Sequence, residues 1–211
     1  MITANLIQRH YQAGHLDQLL VAVSGGLNLP LSLRIRLSQS PACALALGLR
    51  RLAELTYGPT DLGREMIDEL LGCQDADGSF ASDPLATACA AAALVRLGGE
   101  RDQWADGRIE PACERALAAL AAMQGDDGLL AYPTDRTWQQ RALVNAFILF
   151  LLAHDAAFRA AMRLAELMDW FEQCQDRLEP ATESYWLMAR LDALGAPADG
   201  GVGCLEPALA A

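Results

Sequence analysis

With 211 residues, 53% of them hydrophobic and 20% charged, the chain can fill the core of one sizeable domain, which excludes disorder as its main state. Its 27 acidic residues outnumber 16 basic ones, so at a formal charge of −11 a polyanion meets repulsion before contact, and no nucleic acid partner is expected. Every basic residue is Arg, a bias spread along the whole length that reads as genome composition and not as a binding device.

The first residues, MITANLIQRHYQAGHL, place no basic segment before an apolar run, so they are not read as a secretory signal and a cytoplasmic location is expected. A first amphipathic segment ends at Ser24-Gly25-Gly26. A helix is predicted over 61–73, where Leu62, Met66, Ile67, Leu70 and Leu71 recur at spacings of 3 and 4 and Thr60 or Asp61 supplies the cap. After a turn, a second helix opens at Asp83-Pro84 and stops at Gly98-Gly99. Trp104, in the loop that follows, is expected to cover a helix end.

Further helices are predicted from Pro111 to Met123, from Thr134-Asp135 to Leu152, from an Asp155 cap to Cys174, and from Pro180 to Leu194. The apolar run 142–153 falls short of the ~20 residues that span a bilayer, so no membrane span is expected. No segment is assigned to a strand, and the fold class is all-α. Six cysteines (Cys43, Cys73, Cys89, Cys113, Cys174 and Cys204) form no CxxC pair and are read as reduced thiols. Residues 1–195 form one predicted domain, and 196–211 read as a Gly/Ala/Pro-rich tail.

Sliding the chain against itself shows a period near fifty. Gln74-Asp75-Ala76-Asp77-Gly78-Ser79-Phe80 aligns with Gln124-Gly125-Asp126-Asp127-Gly128-Leu129-Leu130, with Gln, Asp and Gly in register. A weaker copy precedes them at Ser24, and a degenerate one follows at Gln175-Asp176. Each copy is a helix, a Gly-containing turn and a second helix, giving about four hairpins. Gly78 and Gly128 suit the left-handed conformation of a helix-ending turn, and Asp77 and Asp127 suit its local amides.

Hairpins of this length joined by a Gln-x-x-Asp-Gly-x-aromatic turn resemble the repeats of the terpenoid cyclase and protein prenyltransferase superfamily, the squalene-cyclase-like α/α toroids. The match is best over 66–97 and fair over 116–152. The resemblance implies that Gln74 with Phe80, and Gln124 with Leu130, tie neighbouring outer helices together. It also implies a ring of about six hairpins, so four make an incomplete toroid whose open edge a protein partner, another copy or the tail would cover.

In such toroids the helix after each turn lines the inside. The corresponding positions are Ser40 and Cys43, then Asp83, Thr87 and Cys89, then Asp135, Trp138, Gln139 and Arg141, then Glu183, Tyr185 and Trp186. The Asp-x-Asp-Asp acid motif of the cyclases is absent, and no inner-helix start carries the His needed for a prenyltransferase zinc site, so no metal or cofactor is expected. Two functions follow. In the first, a non-catalytic module binds an apolar small molecule, a peptide or a partner protein through Asp83, Thr87, Cys89, Trp138, Arg141, Tyr185 and Trp186. In the second, an acid-catalysed enzyme acts on an isoprenoid-like substrate, with Asp135 or Glu183 as general acid and the aromatics shielding a carbocation. Against both stands a packing role for Trp138 and Trp186.

Overall fold

The computed structural model describes residues 4–24, 27, 29–55, 60–99, 104, 106–130 and 137–195. Within them the regular structure is helical, apart from two isolated bridges: α1 (Ala4–Gln12), α2 (Leu16–Ser24), α3 (Leu31–Ser38), α4 (Pro41–Glu54), α5 (Asp61–Gly72), α6 (Pro84–Gly99), α7 (Ile109–Ala122), α8 (Trp138–Leu152), α9 (Ala156–Ala161), α10 (Leu164–Cys174), a 3-10 turn (Gln175–Arg177) and α11 (Pro180–Gly195). The expected helix ends hold within two residues for α5, α6, α7 and α11. Two expectations are corrected. The stretch read as one helix from Asp155 to Cys174 breaks at Met162 and Arg163, where Met162 turns extended, into α9 and α10. The helix expected from Thr134-Asp135 begins at Trp138, because Thr137 takes the cap and accepts the Gln140 amide at 3.2 Å.

Burial divides the helices into two kinds. In α4, α6 and α8 most residues are buried, whereas α5, α7 and α10 bury one stripe and leave the rest exposed or half-buried. The buried helices pack in sequence, α4 on α6, α6 on α8 and α8 on α11, with α2 against α4. Small residues permit that approach: Ala42, Ala44, Ala46 and Gly48 of α4 and Ala86, Ala88 and Ala90–Ala93 of α6 carry little beyond the backbone.

What spaces this array is the repeated turn. Gly78 and Gly128 both have positive φ, 89° and 77°. Their amides reach back to the carbonyls of Asp75 (2.9 Å) and Gly125 (3.0 Å), while Asp77 accepts the Ser79 amide at 2.9 Å and Asp127 the Leu129 amide at 3.2 Å. The glutamine then leaves its own hairpin. Gln74 Nε2 donates to the Gly78 carbonyl (3.0 Å) and to the Ala112 carbonyl of α7 (2.9 Å), and its Oε1 accepts from Arg115 Nη2 (2.6 Å). Gln124 repeats this one hairpin later: its amide donates to the Gly128 and Arg163 carbonyls, and its Oε1 accepts the Arg163 amide at 2.9 Å, at the start of α10.

The residue six positions after each glutamine pairs with it in a bridge, Phe80 with Gln74 and Leu130 with Gln124, and both are fully buried. A leucine serves as well as an aromatic there because the bridge uses the backbone. In both copies the following helix sends back one polar side chain to hold that strand-like residue. Thr87 Oγ1 accepts the Phe80 amide (3.0 Å), and Asn145 Oδ1 accepts the Leu130 amide (2.8 Å) while its Nδ2 donates to the Leu130 carbonyl (2.9 Å).

Glycine at the turn is required twice over, by its backbone and by what it faces. A Cβ on Gly78 would lie 2.5 Å from the Arg115 carbonyl oxygen, and one on Gly128 2.8 Å from the Glu166 Cβ. Gly78→Ala is therefore expected to cost at least ~1–2 kcal/mol from the left-handed backbone alone, lowering Tm by about 2 °C or more. Gly72→Ala, a helical site with no atom within 4 Å of the new Cβ, is expected to be neutral or stabilising. Equal melting temperatures for the two variants would refute this account of the turn.

Candidate functional site

The residues expected to carry chemistry are mostly occupied in holding the fold. Asp83 is buried and caps α6, accepting the Leu85 amide at 2.9 Å. Thr87 is spent on the Phe80 amide and on the Asp83 carbonyl, to which its hydroxyl donates at 2.7 Å. Arg141 Nη2 donates to Asp127 at 2.8 Å and so buttresses the second turn. Tyr185 donates to the Leu27 carbonyl at 3.0 Å, and its ring sits 5.2 Å from Phe147 and 5.3 Å from Phe150. That bond ties the last helix to the segment between α2 and α3.

Trp186 is completely buried, stacked 6.1 Å from Phe171 with the Arg190 guanidinium 5.6 Å from its ring. Trp138, half-buried, lies 5.4 Å from Trp170 and 4.7 Å from Arg177. These aromatic faces, expected as a pocket wall, are covered by protein. Glu183 is half-buried in the first turn of α11. Asp135 lies outside the described residues, as do Tyr132 and Arg136. Trp104 meets its expectation: it is buried over the first turn of α5, where its ring would lie 2.5 Å from a Cβ on Gly63.

Nucleophilic chemistry finds no support in the thiols. The five described cysteines are free, and Cys43, Cys89 and Cys174 are buried. The Cys43 thiol hydrogen-bonded to it and complete burial push Cys89 well above the ordinary thiol value, and nearby Asp83 acts in the same direction. Burial, with Asp155, Glu114 and Glu110 nearby, pushes Cys113 up to about 12. Cys73 and Cys174 are also raised, chiefly by burial. Neutral thiols are poor nucleophiles and poor metal ligands. Among the described residues no three His, Cys, Asp or Glu side chains converge as a metal site requires, and no helix is long and apolar enough to cross a membrane.

A concave site among the described residues lies elsewhere, at the amino-terminal elements. A groove of about 480 Å³ runs between α2 and α3, with His10 of α1 at its side. Leu20, Val21 and Ala22 line one wall, Ile35 and Ser38 the other, and Asp17 and Arg34 add charge. Val21 is 57% exposed, Ile35 51%, and Leu31, one turn before Ile35, 70%.

The cause is legible in α3, whose Leu31-Ser-Leu-Arg-Ile-Arg-Leu-Ser alternates apolar and polar over eight residues, the spacing of a strand. With no partner strand it folds as a helix. Leu33 and Leu37 then face the core, and Leu31 and Ile35 are left facing water. This alternation is the sequence signal for the groove; it has no flanking hairpin turn, which is why no strand is expected there.

Truncating Trp186 to Ala is expected to cost ~3–5 kcal/mol in urea unfolding, as for any fully buried aromatic; a loss below ~1 kcal/mol would restore the pocket-wall reading. A thiol-reactive disulfide reagent at neutral pH is expected to leave Cys43 and Cys89 untouched until the chain is unfolded, and rapid native-state labelling of either would contradict their burial. No protein-family model, no curated protein and no solved structure matches the chain.

Proposed function

We propose that this chain is a non-catalytic helical-repeat module, built as an incomplete α/α toroid of the squalene-cyclase-like kind, that binds an amphipathic helix of a protein partner in the groove between α2 and α3. The toroid reading is supported by the two glutamines, each of which reaches from its own turn to the next outer helix. The binding reading is carried by one observation: apolar side chains on both walls of the groove, Val21 and Ile35, stand more than half exposed. A soluble surface tolerates single exposed leucines, but apolar residues gathered along a concave surface mark a place that something covers.

The form of the groove argues for a helix over a small molecule. Its walls are two helices and its apolar residues remain open to water, whereas a small-molecule site encloses most of its ligand. Laying the apolar stripe of a helix between two helices is a common recognition mode, and here Arg34 and the adjacent Arg9 and His10 favour acidic flanks on the incoming helix.

The test is a synthetic helical peptide with a Leu/Met stripe and glutamates at its flanks, titrated into the protein by calorimetry. Ile35→Glu is expected to weaken its binding at least tenfold, about 1.4 kcal/mol, while Trp138→Ala leaves it unchanged. Binding lost in Trp138→Ala and kept in Ile35→Glu would move the site back to the inner-helix starts.

A further inference from the structure

We infer that the occupant of this groove is the outward face of α11 from a second copy, so that the chain associates with itself head to tail. The inference rests on the groove reading above and adds the identity of the partner. Its first support is a second apolar stripe at the opposite end of the chain. On α11 Tyr185, Trp186 and Ala189 turn inward, while Leu187 (38% exposed), Met188 (51%) and Leu191 (70%) turn to solvent. They sit at i, i+1 and i+4, the spacing of one helical face. The two largest apolar exposures in the described residues are thus Leu31 beside the groove and Leu191 on this stripe, both 70%.

The second support is charge. The chain carries −11 overall, yet α1 to α3 hold Arg9, Arg34 and Arg36 against a single acid, Asp17, with His10 and His15 besides. From residue 163 onward the balance is the reverse: Glu166, Asp169, Glu172, Asp176, Glu179, Glu183 and Asp192 stand against Arg163, Arg177 and Arg190, with Arg163 paired to Glu166 at 2.9 Å. Arg190 is paired with Glu172 at 3.1 Å and Arg177 lies over Trp138, so neither masks the α11 stripe. Glu183 and Asp192 flank that stripe one turn from Leu187 and Met188, and no ion pair engages them among the described residues. The outward face of α11 is thus an apolar stripe with acidic flanks, and α1 to α3 present an apolar groove, lined by Asp17 as well as Arg34, in a region of net positive charge; the two surfaces are neighbours within one molecule, since Tyr185 bonds the Leu27 carbonyl between α2 and α3. Surfaces of opposite charge on two copies attract each other.

Because donor face and acceptor groove are different surfaces, the contact is heterologous, and each copy retains one unused face until a ring closes. That yields a test no symmetric dimer would pass. Sedimentation equilibrium of the wild type is expected to show a mass that rises with concentration. Ile35→Glu, which blocks the groove, and Leu191→Glu, which blocks the helix, are each expected to stay monomeric with an unchanged circular dichroism spectrum. Mixed one to one, the two variants are expected to form a capped dimer, since one still offers an intact α11 and the other an intact groove. Ile35→Ser and Leu191→Ser serve in the same way should the glutamates disturb folding.

A wild type that remains monomeric at every concentration, or a variant mixture that stays monomeric beside an associating wild type, overturns the inference. A monomeric wild type that associates only after removal of residues 196–211 also overturns it, since the tail and not a second copy would then hold the groove. If the wild type is monomeric but still binds the synthetic peptide through Ile35, only the self-association fails; if the peptide does not bind either, the groove reading fails with it.

Discussion

The fold depends on a glutamine that satisfies its hydrogen bonds in two hairpins at once. Gln74 and Gln124 each close their own turn through a carbonyl two residues before the buried bridge residue, and each also reaches the main chain at the start of the next exposed helix. A buried or half-buried amide left without partners costs about as much as several good contacts supply. Neither turn nor neighbouring helix can therefore shift without exposing or stranding the other. The arginines reinforce this, Arg115 on the Gln74 oxygen and Arg163 on the Gln124 and Gly125 carbonyls.

That clamp explains why Thr87 of α6 and Asn145 of α8 are structural. A turn held so close to the next helix leaves backbone groups at residues 80 and 130 that no helix can satisfy. A side chain of the following helix must reach back to them, threonine in one copy and asparagine in the other. The solutions differ chemically and sit at different distances along the chain, 7 and 15 residues after the bridge. Both are fully buried. Groups consumed in this way are not free to act on a substrate, and the same holds for Asp83 and Arg141.

A repeat array satisfies its members from their neighbours, so unsatisfied surface collects at its ends. Among the described residues no hairpin precedes α1 and none follows α11. Their outward faces retain exposed apolar residues, Val21, Leu31 and Ile35 in α2 and α3 and Leu187, Met188 and Leu191 in α11. Between them α4 and α6 pack closely through their alanines, and Tyr185 of α11 bonds the Leu27 carbonyl between α2 and α3.

The sequence by itself determined the helical class, the period near fifty, the glycine-bearing turns and most helix ends, because these follow from local rules: side chains at spacings of 3 and 4, caps such as Thr60 and Asp155, and glycine where φ is positive. Only the tertiary structure decided which polar residues were available. Thr87 and Asp83 stand in a sequence as candidates, and Asn145 as a lone polar residue in an apolar run, but their partners are backbone groups whose need for them exists only once the turn is pinned. Only the tertiary structure, likewise, decided the fate of residues 31–38. Their strict alternation favours a strand locally, but a strand requires a neighbour to pair with, and among helices the segment satisfies its own backbone by coiling. The same choice turned Leu31 and Ile35 away from the core and made the groove.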